Sequence, residues 1–361
     1  MTTAGTPEAS GGHWRPLARS PLNPRIAAGA LWTGTNMLVW GGFDGRTLRN
    51  DGGAYDPVAN RWELVPDAPL SSRSRYTLVW TGKEMVVWGG WGLKVDLPRV
   101  VDQSEGPQAD GAAYDPATRR WRAMAPAPIE GRGAHSAVWT GKEMVVWGGS
   151  GGPFGPVLGD GAAYDPATDR WRPITAAPLA ARSEHSGTWT GSAMILWGGD
   201  HSSSGNADVP DGAAYDPSTD SWTMLPPGGA GLGAKDIRTA WTGSELLLVG
   251  GFGPGSGNPP FFGAAYNPSR GQWRTIASPI PDMAGSTVLW TGDELLVWAR
   301  GSKSARYNPT TDRWAAIPAL RLRPREEMTA VWTGTEAIVW GGSDPSGSPF
   351  FGDGAALTLT G

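Results

Sequence analysis

The tripeptide Trp-Thr-Gly occurs seven times, beginning at Trp32, Trp80, Trp139, Trp189, Trp241, Trp290 and Trp332, on average 50 residues apart. A period of that length marks one supersecondary unit that cannot bury its own apolar face and must stack on copies of itself. Each copy runs in the same order: an Arg-containing lead-in, a short alternating run ending in Trp-Thr-Gly, an apolar run ending in Gly-Gly, a variable stretch, an Asp-Gly-Ala-Ala-Tyr-Asp-Pro segment and a Trp. Short apolar and alternating runs punctuated by Thr-Gly, Gly-Gly and Asp-Pro read as four antiparallel strands, and no segment has a helical period. Four strands in about 50 residues, repeated radially, make a propeller blade. The expected fold class is therefore all-β, a seven-bladed β-propeller.

The two ends point to how the ring closes. The last copy stops after Asp353-Gly-Ala-Ala-Leu-Thr-Leu-Thr, a third strand with no fourth, and the chain opens with an orphan fourth strand around Trp14-Arg15-Pro16-Leu17. Blade 7 is expected to be completed by this N-terminal strand, which removes two exposed strand edges. Residues 1–12 are expected to form a flexible leader, and residues 13–361 a single domain.

The diglycine that closes strand 2 (Gly41-Gly42, Gly89-Gly90, Gly148-Gly149, Gly198-Gly199, Gly250-Gly251, Gly341-Gly342), followed by Tyr and then Trp, resembles the kelch repeat. The resemblance covers nearly the whole chain and implies the propeller fold. It implies no single activity, because kelch propellers include enzymes, lectin-like binders and interaction platforms.

Composition narrows the chemistry. Lys plus Arg number 30 against 34 Asp plus Glu, a formal charge of −4, which argues against a nucleic-acid partner reached through a basic surface. No apolar stretch approaches the roughly eighteen residues of a membrane span, and the first residues lack the pattern of a signal peptide. The expectation is a soluble monomer with no membrane partner, cytoplasmic by default, with an exported and processed form as the alternative. With no Cys there is no thiol nucleophile or thiolate metal site, and the Cys-linked Tyr of galactose-oxidase-like copper chemistry is ruled out. The four-residue-spaced Glu, Asp and His series by which the kelch-class plant specifier proteins hold iron is absent as well. Asp200-His201 with Asp208 and Asp211 is the one oxygen-rich combination, and it lies on a Ser/Gly loop where solvated side chains are the ordinary case. No metal and no other cofactor is expected.

A repeat permits subtraction, since residues the blade demands recur and the rest become candidates for function. Twenty of 21 Trp recur, which leaves Trp91; six of seven Tyr recur, which leaves Tyr76. All seven Phe (Phe43, Phe154, Phe252, Phe261, Phe262, Phe350 and Phe351) fall between strands 2 and 3. The 2–3 loops and the blade-to-blade 4–1 connections share one face of the ring, so these aromatics are expected to gather there, either sealing the loops or lining a ligand mouth. An Arg seven residues before the strand-1 Trp (Arg25, Arg73, Arg132, Arg182, Arg325) accompanies an Asp opening strand 3 (Asp51, Asp110, Asp160, Asp211, Asp353), and both are lost together in blades 5 and 6. Five structural ion pairs, bidentate and partly buried, are expected.

What remains is variable. Five residues before the strand-1 Trp stand Ala27, Arg75, Ala134, Glu184, Asp236, Gly285 and Glu327; one position later stand Ala28, Tyr76, His135, His185, Ile237, Ser286 and Met328. Strand 1 is innermost in a propeller, so both sets should ring the channel mouth, joined by Arg238 and by Arg300, which replaces a diglycine Gly. Glu184, Glu327 and Asp236 converging there would repel one another and suit metal-free proton transfer. Arg75, Arg238 and Arg300 would grip a carboxylate, with Tyr76, Trp91, His135, His185 and Phe252 as further ligand contacts. The bacterial sialic-acid epimerases are similar in being kelch propellers with acidic and Arg residues at the channel. The expected function is binding of a small polar or carboxylated ligand, a sugar acid or metabolite, with isomerase-like acid–base chemistry in view. The alternative is a protein-interaction platform built on the aromatic 2–3 loops. The blade-2 insertion, residues 91–109, would serve as a lid or an epitope.

Overall fold

Strand 2 of each blade is apolar on both faces, and this dictates the assembly. Met37–Trp40, Met85–Trp88, Met144–Trp147, Met194–Trp197, Leu246–Val249 and Leu295–Trp298 are buried at every position. Successive side chains of a strand point to opposite faces, so each blade needs a neighbour on both sides. Leu38 and Trp40 accordingly pack with Met85 and Val87 of the following blade, while Met37 and Val39 pack with Ile338 and Trp340 of the preceding one. The core is a set of seven such seams, one at each blade boundary.

The computed structural model describes residues 11–92, 106–153, 155–201, 209–228, 237–250, 263–277, 280, 286–299 and 304–359, with the strand backbones of 94–96 and 100–102. It contains seven four-stranded antiparallel sheets, each ordered 1-2-3-4. The innermost strands lie against one another around the ring, and Gly29–Trp32 of blade 1 meets Thr329–Trp332 of blade 7. Within the blade-2 insertion, Lys94–Asp96 and Val100–Asp102 pair as a separate two-stranded ribbon.

Blade 7 closes as expected. Gly12–Pro16 is its outer strand, pairing antiparallel with Gly354–Leu359, Trp14 opposite Leu357. Trp14 also takes the place that every strand-4 Trp occupies, its indole N–H donating to a carbonyl at the exit of the preceding blade. The seven bonds run from Trp14 to Pro318, Trp62 to Ala18, Trp121 to Pro66, Trp171 to Ala125, Trp222 to Thr175, Trp273 to Pro226 and Trp314 to Ala277. Six of these rings also pack inward on the strand-2 Trp of the preceding blade, as Trp171 does on Trp88 with centroids 5.4 Å apart, while Trp314 meets the cluster that contains Val249. The recurring aromatics therefore fill the seams.

On the face opposite the 2–3 loops, the fold holds a second ion-pair series that the subtraction above overlooked. The Arg after the strand-4 Trp meets the Glu that closes Trp-Thr-Gly-x-Glu: Arg15 with Glu336, Arg122 with Glu84, Arg172 with Glu143 and Arg274 with Glu245, each two-pronged. Each guanidinium also donates to the strand-3 Tyr hydroxyl of the next blade, at Tyr55, Tyr164, Tyr215 and Tyr307. Both partners are missing in blade 1 (Asn36, Glu63) and in blade 4 (Ala193, Thr223). In blade 6 only the arginine is lost, Ala315 taking its place, and Glu294 pairs with Arg306 instead, so the co-variation is less complete than that of the Arg–Asp pairs.

Deleting residues 1–20 should lower the melting temperature sharply. It removes the outer strand of blade 7 together with the Trp14 bond and the Arg15 link to Glu336 and Tyr55. Thermal unfolding by circular dichroism checks this, and an unchanged melting temperature would mean that ring closure does not depend on the N-terminal strand.

Candidate functional site

The loop face is organised around five buried arginines. Arg25, Arg73, Arg132, Arg182 and Arg325 have side chains at most 1% exposed, and each pairs with the strand-3 Asp of its own blade. Arg25 and Arg73 reach both carboxylate oxygens, whereas Arg132, Arg182 and Arg325 hold one. Two-pronged pairing was expected at all five. All five forks also hold backbone: Arg132 donates to the carbonyls of Glu130, Gly148 and Asp160, and Arg73 to those of Ser71, Gly89 and Asp110. Its own backbone joins the preceding blade, its N–H donating to Gln108 O and its carbonyl accepting from Gly90 N. The second diglycine residue fits there with φ near 100° (103° at Gly90, 100° at Gly149), a left-handed conformation open to glycine.

Three residues then fix the start of strand 1. The residue six before the Trp forms a two-way bridge to its own 2–3 loop: Gly133 with Ser150, Ser183 with Asp200, Glu326 with Ser343. The residue four before is wedged into the seam behind. The one between must turn sharply, and it does so with positive φ at Ala27, Arg75, Ala134, Glu184 and Glu327, 51° to 56°. Non-glycine residues hold that conformation only when the surroundings over-determine it. Consecutive blades add a bond apiece, Ala134 N donating to Arg75 O and Glu184 N to Ala134 O. The position is constant in backbone and free in side chain.

Of the residues expected at the mouth, Arg75 and Glu184 are brought together, Nη1 to Oε1 at 3.3 Å, over the small side chain of Ala134 in the blade between. Arg75 remains 55% exposed and Glu184 24%. Glu327 and Arg238 are exposed at the corresponding ends of blades 7 and 5. Arg238 stands where the other six blades have Gly29, Thr77, Ser136, Ser186, Thr287 and Thr329, so a long cation interrupts a series of small residues. Asp236, Phe252 and Arg300 lie outside the described residues.

Tyr76, His135 and His185 take a different place from the one expected. They are seam wedges, packed edge-on against Trp40, Trp88 and Trp147 with centroids 5.0, 5.1 and 5.1 Å apart. Their polar tips are held by the preceding blade: the Tyr76 hydroxyl donates to Trp40 O and accepts from Gly29 N, His135 Nε2 lies 2.7 Å from Thr77 Oγ1, and His185 Nε2 lies 2.8 Å from Ser136 Oγ. Burial pushes the Tyr76 hydroxyl up to about 12. Burial, with Arg132 and Arg182 close by, pushes His135 and His185 down to about 3. Trp91 is likewise tied down, its indole N–H donating to Ser150 O and its ring lying where a Cβ on Gly133 would sit. Phe43 packs edge-on against Phe350, and Phe351 is buried beneath the Arg325 guanidinium. The described loop aromatics thus seal the blade tops.

Among the described residues this face also carries a cleft of about 530 Å³ between blades 7 and 1, lined among others by Asn23, Asp44, Arg46 and Phe350. Among the described residues no three His, Asp or Glu side chains form a metal-binding group, and Asp211 is engaged by Arg182. Among the same residues no helix is long and apolar enough to cross a membrane.

Comparison with known proteins places the repeat. The family model described as the KLHDC2/KLHL20/DRC7 Kelch-repeats domain matches residues 12–178 and 75–298, well over half of the chain. No curated protein matches it.

The Arg–Asp pairs predict a specific cost. Arg132→Ala strands three carbonyls and a carboxylate and should destabilise the fold by roughly 3 kcal/mol, while the double change with Asp160→Ala should cost less than the two single changes together. Denaturant unfolding of the four proteins measures the coupling, and strict additivity would refute it. The buried histidines predict acid sensitivity. Their folded values of about 3 lie far below the ordinary value near 6.5, so between those limits the unfolded chain binds more protons. Stability contributed by the neutral rings is complete above about pH 6.5 and falls as pH drops toward 3. Melting temperatures from pH 7.5 to 4.5 should decline by a few degrees per pH unit, and the His135→Gln, His185→Gln double variant should show a shallower slope whatever its absolute stability. Equal slopes would show that these histidines do not control it.

Proposed function

The chain belongs to the kelch-repeat propellers, and from that premise we propose that its loop face binds a small polar ligand bearing a carboxylate, such as a sugar acid, held at the channel mouth by Arg75 and Arg238. A propeller of this family is a binding platform; the proposal concerns which surface binds and what chemistry it accepts. One observation carries it: among the described residues five before a strand-1 Trp the backbone is held near one φ while the residue type varies, giving Arg75, Glu184 and Glu327 beside small Ala27 and Ala134. Fixed backbone with variable charge suits recognition, because little order has to be imposed on binding.

A carboxylate would compete with Glu184 for the exposed Arg75 guanidinium, and Glu184 would then be released toward a hydroxyl or amino group of the same ligand. Acid–base chemistry belongs to the same proposal, with Glu184 or Glu327 as the proton carrier. The sealed aromatics of the described loops, Trp91, Phe43, Phe350 and Phe351, favour this reading over an aromatic surface for a protein partner. Among the described residues the exposed large hydrophobics are Val58, Leu64 and Met224, which lie in a turn between third and fourth strands and on fourth strands.

A thermal-shift panel of sugar acids and small carboxylated metabolites, followed by calorimetry, tests the reading. Arg75→Ala and Arg238→Ala should each weaken the best ligand about tenfold or more without lowering the melting temperature appreciably. If that ligand is turned over, Glu184→Gln or Glu327→Gln should slow turnover by about 10² with affinity little changed. A ligand whose affinity ignores both arginine changes would move the site away from the mouth.

A further inference from the structure

The seam between blades 6 and 7 departs from the repeat in three ways. Met328 stands where seams 1/2, 2/3 and 3/4 insert Tyr76, His135 and His185. Ser304 opens strand 3, where the other six blades have Gly52, Gly111, Gly161, Gly212, Gly263 and Gly354. A Cβ at Gly111 or Gly161 would come within 2.8 or 3.0 Å of Cδ1 of Trp88 or Trp147, so this position abuts the indole edge of the strand-2 Trp. The third departure is a cavity. Trp298, Ser304, Arg325, Met328, Leu320 and Leu322 line a space with room for one water-sized body.

Two of the lining groups are buried donors without a partner. Trp298 is 5% exposed and its Nε1 donates to nothing; the Arg325 side chain is 1% exposed and its Nη2 donates to nothing. The remainder of the guanidinium is engaged, Nε with Arg323 O and Nη1 with Gly341 O and Asp353. The Asp353 carboxylate is 59% exposed, so the counter-charge faces water on one side while the opposite end of the cation faces the cavity. Closure between blades 7 and 1 leaves no such orphans, since Trp340 Nε1 donates to Gly352 O and Arg25 Nη2 to Asp51 Oδ2. Seams 2/3 and 3/4 have the same unpartnered nitrogens on Trp88, Arg132, Trp147 and Arg182, but there the rings of His135 and His185 pack against the indoles.

The cavity thus presents a cationic N–H, an indole N–H and the Ser304 hydroxyl within apolar walls. The occupant that suits it accepts from all three donors and needs no acceptor in return. A water has two hydrogens of its own to place, and among the lining side chains only Ser304 offers an oxygen. Polyatomic anions are too large for so small a space, whereas a monatomic halide exceeds a water in radius by only a few tenths of an ångström. We infer that this seam holds a buried halide ion, chloride under ordinary conditions, bound by Arg325 Nη2, Trp298 Nε1 and the Ser304 hydroxyl. Such an ion binds the folded ring and not the unfolded chain, so it stabilises the protein by mass action. The site is independent of the channel mouth.

The test compares thermal unfolding in sodium chloride or bromide with sodium gluconate at equal ionic strength, so that screening cancels. The melting temperature should rise with halide concentration and stay level in gluconate. Crystals grown in bromide should show an anomalous peak within hydrogen-bonding distance of Trp298 Nε1 and Arg325 Nη2. Met328→Phe should fill the cavity and bring the halide-dependent rise down to the gluconate baseline. Because Arg325→Ala would also remove a structural pair, and Met328→Phe may fail to fold, the anomalous map of the unaltered protein is decisive. An empty seam, or a water with no anomalous signal, overturns the inference, as does a melting temperature that is the same in both salts.

Discussion

A buried guanidinium is the interaction on which the loop face depends. Removing an arginine from water is costly unless most of the fork is met, and in five blades several segments converge on one point to meet it, with a single Nη2 left over at Arg132, Arg182 and Arg325. At Arg132 these are the first diglycine carbonyl, the opening of strand 3, and the turn just before the arginine itself, while the arginine's own peptide group bonds the blade behind. The diglycine follows from the same crowding. A Cβ on Gly89 would come within 2.7 Å of the His135 ring and 2.8 Å of Arg132 O, so the close approach of two blades admits no side chain there. Blade geometry, loop placement and the angle of the strand-1 start are thus consequences of satisfying one charge.

The architecture was legible because it is redundant. Seven copies of one motif fixed the number of blades, the missing fourth strand exposed the closure, and the joint loss of Arg and Asp in two blades identified a pair before any coordinates. The site was less legible, for two physical reasons. First, a seam requires volume and a polar anchor rather than one residue type, and Tyr76, His135 and His185 meet that requirement in different ways. Variation there looked like a departure from the framework when it was the framework solved differently. Second, the residue in front of the wedge repeats in φ and not in side chain, and a left-handed backbone is invisible when Ala, Arg and Glu adopt it by constraint and not by preference. The Glu–Arg–Tyr relay on the opposite face was partly within reach of the co-variation argument, since Asn36 with Glu63, and Ala193 with Thr223, break both halves together, while blade 6 keeps Glu294 opposite Ala315.

The two kinds of ion pair also divide the labour between the faces. On the loop face each Arg–Asp pair lies within one blade, with the arginine's backbone making the link across the seam. On the other face the side chain itself crosses, from Glu84 through Arg122 to the Tyr164 hydroxyl, which in turn donates to Asp169. Burial raises Tyr164 to about 12, so this hydroxyl stays protonated as a donor throughout the ordinary pH range. With the far face clamped by side chains, the loop face can keep its side chains for other uses and still hold its backbone.

Symmetry then limits what the mouth can recognise. Around a ring of seven equal blades, identical charges produce a field on the axis whose components perpendicular to that axis cancel, so they can attract a ligand but cannot orient it. Orientation needs unlike residues at equivalent places. The framework supplies the equivalence, through a backbone position held near the same φ in blade after blade, and the sequence supplies the unlikeness, with Arg75 and Glu184 flanking Ala134, and Glu327 next to Ala27. A ligand that presents opposite charge or opposite hydrogen-bonding character on its two sides can take one orientation in such a ring, whereas a uniform ligand would find no preferred direction. On the proposed reading the residues that break the repeat at strand-1 starts would confer selectivity, and the buried arginines would hold their backbone in place.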